Sequence, residues 1–207
     1  MAEIGVMERF ARSPLAHLEV AMADGLVEGE RGVTLRELAF VTMVTVRVAT
    51  DQVAAARIAE IVGAALPTEC GEVGVGRDHQ VLWLGPDEFL VVSGTDPATL
   101  TAQLEDALGV DPGLVVDVSA NRTTLELSGP SAREVLEKGC VLDLHPRAFR
   151  AGIAVSTMLG PVPVILWQTD ASPTYRIMPR GSFADYTARW LLNAMIEFSA
   201  PEESSWR

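Results

Sequence analysis

The stretch of sequence that decides the fold is VVDVSANRTTLELSGPSAREVLEKGCVLDLHPRAF, at residues 115–149. It opens with a β-branched run typical of a buried strand. Residues 123–128 then alternate in the period-two pattern of a half-buried strand. A Gly-Pro pair at 129–130 ends this strand, because Pro is favoured in the first turn of a helix. The helix is predicted over 131–138, whose first and fourth residues, Ser and Glu, are spaced as in a capping box.

The same order of elements occurs twice along the chain. The first half is predicted to contain a strand, a helix, a hairpin, a helix and a strand, at residues 40–48, 54–66, 81–92, 97–108 and 114–118. The second half is predicted to contain a strand, a helix, a hairpin and a long helix, at residues 123–127, 131–138, 162–178 and 183–198. This βαββα order is that of a split βαβ unit. We therefore predict an α+β fold of two ferredoxin-like halves, each with an antiparallel sheet.

The predicted elements divide the chain into four parts. Residues 1–35 form an extended N-terminal arm, residues 36–120 and 121–200 form the two halves, and residues 201–207 form a polar tail. The arm contains glycines that interrupt regular structure, yet its apolar side chains need a surface to cover them. That surface is either this chain's own sheet or a partner subunit. Because the repeated order starts only near residue 40, we expect the core elements to be complete without the arm.

Composition and charge exclude several classes of protein. The 207 residues have 48% hydrophobic content, which is enough for a packed core. The net charge of −12 disfavours binding to the phosphates of nucleic acids. No run of about 18 apolar residues predicts a membrane span. Two distant cysteines and the absence of a recognisable secretory signal indicate a cytoplasmic protein with reduced thiols.

The sequence contains no convincing catalytic, cofactor-binding or metal-binding pattern. The glycines at 71–76 lack the spacing of a dinucleotide or phosphate loop, so a flexible connection is favoured. His145 lies near Asp143, but catalysis needs a carboxylate that orients the ring, and a structural or interfacial histidine is favoured. We therefore predict no catalytic residue, bound cofactor or metal on this chain.

Several residues are candidates for interfaces or for structural contacts. Arg122 and Arg176 each adjoin an apolar strand, where they either extend to the surface or pair with a carboxylate such as Asp117, Glu126 or Asp170. Tryptophan and arginine are the residues most enriched at interface hot spots. The complete set of candidates is Arg12, Leu15, Trp83, Arg122, Trp167, Arg176 and Trp206.

The same stretch at 115–149 resembles the gamma subunit of the bacterial heterotetrameric sarcosine oxidases. Three further blocks carry this resemblance in the expected order: RSPLAHL at 12–18, WLGPDEFLVV at 83–92, and VPVILWQTDASPTYRIMPRGSFADYTARWL at 162–191. In its double split-βαβ order, the chain also resembles the folate-binding fold of the glycine-cleavage aminomethyltransferases.

The resemblance implies a role in a complex. Such complexes oxidise sarcosine to glycine and yield hydrogen peroxide with formaldehyde or 5,10-methylenetetrahydrofolate. FAD, FMN, NAD, zinc and tetrahydrofolate are expected on the other subunits. This chain is then a non-catalytic, mainly structural partner of the alpha, beta and delta subunits.

Two alternatives stay open at the level of the sequence. One is a stand-alone folate-binding or methyl-transfer protein of the same fold, which needs a carboxylate aimed at the pterin. Asp117, at the end of a strand, is the acid nominated for that role. The other is the equivalent subunit of a related oxidase or dehydrogenase that acts on a different N-methyl amino acid.

Overall fold

The computed structural model describes residues 11–199, in which ten strands and five α-helices include the seven strands and four helices predicted from the sequence. The strands are β1 Thr34–Leu38, β2 Thr42–Arg47, β3 Val73–Val75, β4 His79–Gly85, β5 Glu88–Ser93, β6 Leu114–Asp117, β7 Thr124–Ser128, β8 Ala154–Leu159, β9 Val162–Asp170 and β10 Thr174–Pro179. The helices are α1 Glu19–Asp24, α2 Val53–Val62, α3 Pro97–Leu108, α4 Ala132–Glu137 and α5 Ala184–Ser199, with short 3₁₀ turns at Ala16–Leu18 and Gly181–Phe183.

The first half has the strand order of a ferredoxin-like unit. Its antiparallel sheet runs β3-β4-β5-β2-β6, with β3 added at the edge beyond β4. Helix α2 ends at Gly63, whose positive φ of 68° suits a residue without a side chain. Helix α3 begins with Pro97 after Asp96, whose carboxylate accepts a hydrogen bond from the Thr99 N–H. The end of α2 and the start of α3 are therefore set by the residues directly next to each helix.

The second half repeats that order, but its fourth strand comes from the N-terminus. Its antiparallel sheet runs β1-β7-β10-β9-β8, and Thr34 of β1 pairs with Ser128 of β7. The prediction of an α+β fold with two split-βαβ halves and antiparallel sheets is confirmed. In the structure, however, β1 belongs to the sheet of the second half, and the expected start of the first half at residue 36 falls inside this strand.

The N-terminal arm is partly helical and forms part of the second core. The side chains of Leu15, Leu18, Met22 and Val27 are buried in the same apolar cluster as Leu127 of β7. Their burial follows from the position of α1, which packs beside β1 on the helix side of the second sheet. The core of the second half is therefore incomplete without the arm, contrary to the expectation from element order.

Helix α4 begins differently from the capping-box prediction. The Ser131 side chain forms no capping hydrogen bond, and this hydroxyl-bearing side chain is buried. The predicted alternation of β7 between buried and exposed faces also fails, because Thr124, Leu125, Glu126 and Leu127 are all buried. Both faces of β7 are covered because helices pack on one side and the other sheet lies on the opposite side.

Three apolar clusters show that the molecule has four layers. One cluster fills the space between the first sheet and helices α2 and α3, and another fills the space between the second sheet and its helices. A third cluster lies between the two sheets, where Leu82 and Leu90 of the first sheet are grouped with Ile165 and Trp167 of the second. The layer order is therefore helices, sheet, sheet, helices.

Candidate functional site

An open cleft lies where both connections cross between the sheets. Residues 39–41 lead from β1 to β2, and residues 118–123 lead from β6 to β7. Beside them is an open cleft of about 640 Å³. Its charged and hydroxyl-bearing lining residues are Arg12, Glu37, Thr42, Asp96, Asp117, Ser119, Arg122, Thr123 and Thr124. The cleft therefore brings together three residues considered from the sequence: Arg12, Asp117 and Arg122.

Two charged side chains of the cleft form hydrogen bonds within the chain itself. The Arg122 guanidinium donates a hydrogen bond of 2.9 Å from Nη1 to the carbonyl oxygen of Met178. Burial lowers the pKa of Arg122 below its ordinary value, and the nearby positive charge of Arg180 lowers it further. Asp117 Oδ1 accepts hydrogen bonds from both the N–H and the hydroxyl of Ser119. These contacts fix the turn after β6.

The rest of the lining offers hydroxyl groups and one strained residue. The buried hydroxyls of Thr123 and Thr124 have no hydrogen-bond partner within residues 11–199. Phe40 has a positive φ of 57°, which is uncommon for a residue with a side chain, and its ring is exposed. The described lining contains no His or Cys. It therefore lacks the pairing of a nucleophile with a histidine base that acyl transfer commonly uses.

The second notable feature is a row of side chains across the second sheet. Arg36, Glu126, Arg176, Trp167 and Ala154 are neighbours in register on β1, β7, β10, β9 and β8. Arg36 Nε donates a 2.7 Å hydrogen bond to Glu126 Oε1, and Arg176 Nε lies 3.8 Å from Glu126 Oε2. The Arg176 guanidinium also lies 5.0 Å from the centre of the Trp167 ring. Two arginines thus share one largely buried carboxylate.

The two hairpin tryptophans lie on opposite faces of their sheets. Trp167 is 6% exposed and belongs to the cluster between the sheets. Trp83 is half-buried and packs against the helix side of the first sheet. Neither indole N–H has an acceptor in the part of the chain that the structure describes. The element order aligns the two hairpins, but it does not fix the face that each side chain occupies.

The remaining candidates are placed as follows. Leu15 is fully buried in the second core, and Arg12 is exposed at the cleft. Trp206 lies outside the described residues. His145 is exposed, and its Nδ1 accepts a hydrogen bond of 3.2 Å from the Arg147 N–H. Sequence reasoning missed Arg36, because its partner Glu126 is 90 residues away and only the register of β1 brings them together.

Metal binding and membrane insertion find no support in residues 11–199. Within that range, no three His, Cys, Asp or Glu side chains are grouped as they would be around a metal ion. None of the helices described has the length and the apolar character needed to traverse a lipid bilayer.

One protein-family model matches most of the chain. Residues 47–197 match the model described as sarcosine oxidase, gamma subunit family. The sarcosine oxidase subunit gamma of Corynebacterium sp. (strain U-96) is 49% identical over 192 residues, which cover 92% of this chain and 93% of the relative. The subunit of the same name from Arthrobacter sp. is 47% identical over 191 residues, covering 92% of both chains.

Comparison with solved structures agrees with the family match. A chain of the heterotetrameric sarcosine oxidase from Corynebacterium sp. U-96 superposes with a TM-score of 0.89 at 48% identity, covering 94% of this chain and 99% of that one. The glycine cleavage system aminomethyltransferase T from Bartonella henselae superposes with a TM-score of 0.61 at 15% identity, covering 86% of this chain and 56% of that one. The second match shows a shared fold alone, as the sequence resemblance predicted.

Proposed function

The chain belongs to the sarcosine oxidase gamma subunit family, and from that membership we propose that it forms the gamma subunit of a heterotetrameric sarcosine oxidase. The observation that carries the proposal is the match to the solved complex, which spans 99% of the solved chain at a TM-score of 0.89.

The complex, in this proposal, oxidises sarcosine to glycine and produces hydrogen peroxide. The methyl carbon leaves as formaldehyde or as 5,10-methylenetetrahydrofolate. The alpha, beta and delta subunits are the proposed partners, and they hold FAD, FMN, NAD, zinc and tetrahydrofolate. We place the complex in the cytoplasm, which is consistent with the two free cysteines, Cys70 and Cys140.

The role proposed for this chain is structural. Its cleft is the place where a catalytic group would be expected, but Asp117 is held by Ser119 and Arg122 by Met178. A general base must be within hydrogen-bond reach of the proton that it abstracts. Asp117 Oδ1 instead accepts hydrogen bonds from its own turn, which is consistent with a structural role. The row from Arg36 to Ala154 crosses all five strands of the second sheet and is consistent with the same structural role.

Co-expression tests this proposal. An affinity tag on this chain is expected to recover the alpha, beta and delta subunits in equal amounts, with peroxide formed when sarcosine is added. The chain purified alone is expected to show no flavin absorbance and no oxidation of sarcosine. Failure to recover the other subunits, or stoichiometric flavin on the single chain, would overturn the proposal.

A further inference from the structure

The surface between the two sheets is covered unevenly. In the first sheet, Val116, Thr45, Leu90 and Leu82 form one row across β6, β2, β5 and β4. Leu82 and Leu90 are fully buried, whereas Val116 is 39% exposed and Leu114, on the same face of β6, is 47% exposed. The inner face is therefore covered at β4 and uncovered at β6.

The second sheet shows the same gradient in the same direction. Along its row, Ala154 and Trp167 are buried, and the Arg36 side chain at the β1 edge is 69% exposed. The closest strands across the layers are β4 and β8. The sheets are therefore close together at β4 and β8 and diverge toward β6 and β1. We call this space, bordered by β6 and β1, the wedge.

The edge strand β6 has free backbone groups at the mouth of the wedge. The Val118 N–H donates to the Met43 carbonyl oxygen at 2.8 Å, which fixes the phase of the ladder between β6 and β2. Because bonding residues alternate along an antiparallel strand, Val116 and Leu114 bond toward β2. The backbone groups of Val115 and Asp117 therefore point away from the sheet, and no strand among residues 11–199 pairs with them.

The sheet edges differ in what lies beside them. Glu37 of β1 accepts a hydrogen bond from the Ser13 hydroxyl of the N-terminal arm, while α1 packs on the helix face of β1 and α3 packs on the helix face of β6. The β3 and β8 sides are joined by a bond from the Ala154 N–H to the Gly71 carbonyl oxygen at 3.0 Å. Natural proteins protect free edges with charges, short strands or covering segments. β6 is short but has no charged residue before Asp117.

We propose that β6 is a docking edge for an extended segment of another subunit, which pairs with β6 and lays aliphatic side chains on Leu114 and Val116. This inference rests on the proposed function. The opposite wall has two arginines for one carboxylate, so it has an excess positive charge in a chain whose net charge is −12. The segment that fits the wedge therefore also carries a carboxylate that faces Arg36. This is strand addition, in which backbone hydrogen bonds give affinity and alternate side chains give specificity.

The first experiment places charge on the inner face of β6. The double variant Leu114→Lys/Val116→Lys is co-expressed with the alpha, beta and delta subunits, beside the control Val20→Lys/Val75→Lys. The control has the same charge change at residues that are at least as exposed, on α1 and on the opposite edge of the first sheet. We expect the β6 variant to lower the recovery of the other subunits by more than about tenfold, while the control recovers them as the parent does.

Amide hydrogen exchange of the wild-type protein tests the docking edge without a substitution that could disturb folding. In the wild-type complex, the N–H groups of Val115 and Asp117 are expected to be protected, and in the chain alone they are expected to exchange rapidly. Rapid exchange in the intact complex would overturn the inference. Protection in the chain alone would also overturn it, because the edge would then be covered by this chain's own ends or by a second copy.

The outcomes also separate this inference from the proposed function. If the wild-type chain recovers no other subunit, the proposed function fails. If the wild-type and the β6 variant both assemble, only the docking edge fails. Equal loss of assembly in the β6 variant and the control would likewise contradict a particular role for β6.

Discussion

The two halves of the molecule have the same order of elements but obtain their fourth strand differently. In the first half, β6 follows α3 directly along the chain. In the second half, the equivalent position is filled by β1, which precedes the first half in sequence. The second half is therefore closed by a segment more than 80 residues away, and the chain must fold its two ends together before that sheet is complete.

The fourth strands also differ in what lies beside them. The N-terminal arm accompanies β1 and buries Leu15, Leu18 and Met22 in the second core. Helix α3 packs on the core face of β6, but no N-terminal segment of the described chain accompanies this strand. The comparison teaches that the arm is a structural part of one half, and the position without an arm is the one at which we propose that a partner segment docks.

The largest effect is expected from removing the arm. Deletion of residues 1–30 removes four buried apolar side chains from the described part, residues 11–30, and each such loss costs about 2–5 kcal/mol. The sum is comparable with the whole stability of a typical domain, about 5–15 kcal/mol. We expect amides in β7, β9 and β10 to lose protection from hydrogen exchange, while β2 and β5 retain it.

Substitutions in the full-length chain test whether the loss of stability comes from the buried side chains or from the shortening of the chain. Changing the four buried residues Leu15, Leu18, Met22 and Val27 to Ala is expected to reproduce most of that loss. Changing the exposed Val20 and Leu26 to Ala is expected to alter the free energy of unfolding by no more than about 0.5 kcal/mol. A deleted chain with an unchanged, cooperative thermal transition would show that the second half does not need the arm.

Substitution of the two hairpin tryptophans tests which face of its sheet each ring occupies. Trp167→Ala is expected to lower the free energy of unfolding by about 3–5 kcal/mol, because the ring fills the space between the sheets. Trp83→Ala is expected to cost less, because this half-buried ring packs at the margin of the first core. Urea denaturation of both variants measures the difference, and an equal or reversed order would contradict this assignment of faces.

A smaller effect is expected from the charged row that only the second sheet contains. Glu126→Gln leaves Arg36 and Arg176 without their shared carboxylate, which we expect to cost about 1–3 kcal/mol. Asp87→Asn breaks the exposed pair with Arg47 in the first half and should cost less than about 1 kcal/mol. Equal unfolding free energies for these two variants would show that the row adds nothing beyond a surface pair.

The smallest effect concerns pH and the helix cap of the first half. The N–H and hydroxyl of Thr99 donate hydrogen bonds to Asp96 and lower the pKa of its carboxyl below the ordinary value. The folded state thus favours the ionised form, so the stabilisation is complete above the unfolded pKa and is lost as pH falls through the folded pKa. Asp96→Asn is expected to reduce the loss of stability between pH 7 and pH 3 in urea titrations. An identical pH profile would contradict the contribution of the cap.

The sequence predicts the parts of this fold that depend on local signals. The alternation at 162–168 and the Pro97 start of α3 are local, and both appear in the structure as β9 and α3. The strand β1 was not predicted, because its pairing with β7 joins residues about 90 positions apart and depends on register. For the same reason, the pairing of Arg36 with Glu126 and the opposite faces of the two tryptophans could not be derived from element order.

The central claim is that this chain contributes structure and no catalytic group to the complex. The most direct test is the kcat for sarcosine of an assembled complex that carries Asp117→Asn/Arg122→Gln, the two cleft residues most suited to proton transfer or charge stabilisation. We predict a kcat within about twofold of the wild-type value, with the subunit ratio unchanged. A fall of about a hundredfold or more in an intact complex, which is the usual cost of losing a general acid or base, would contradict the claim.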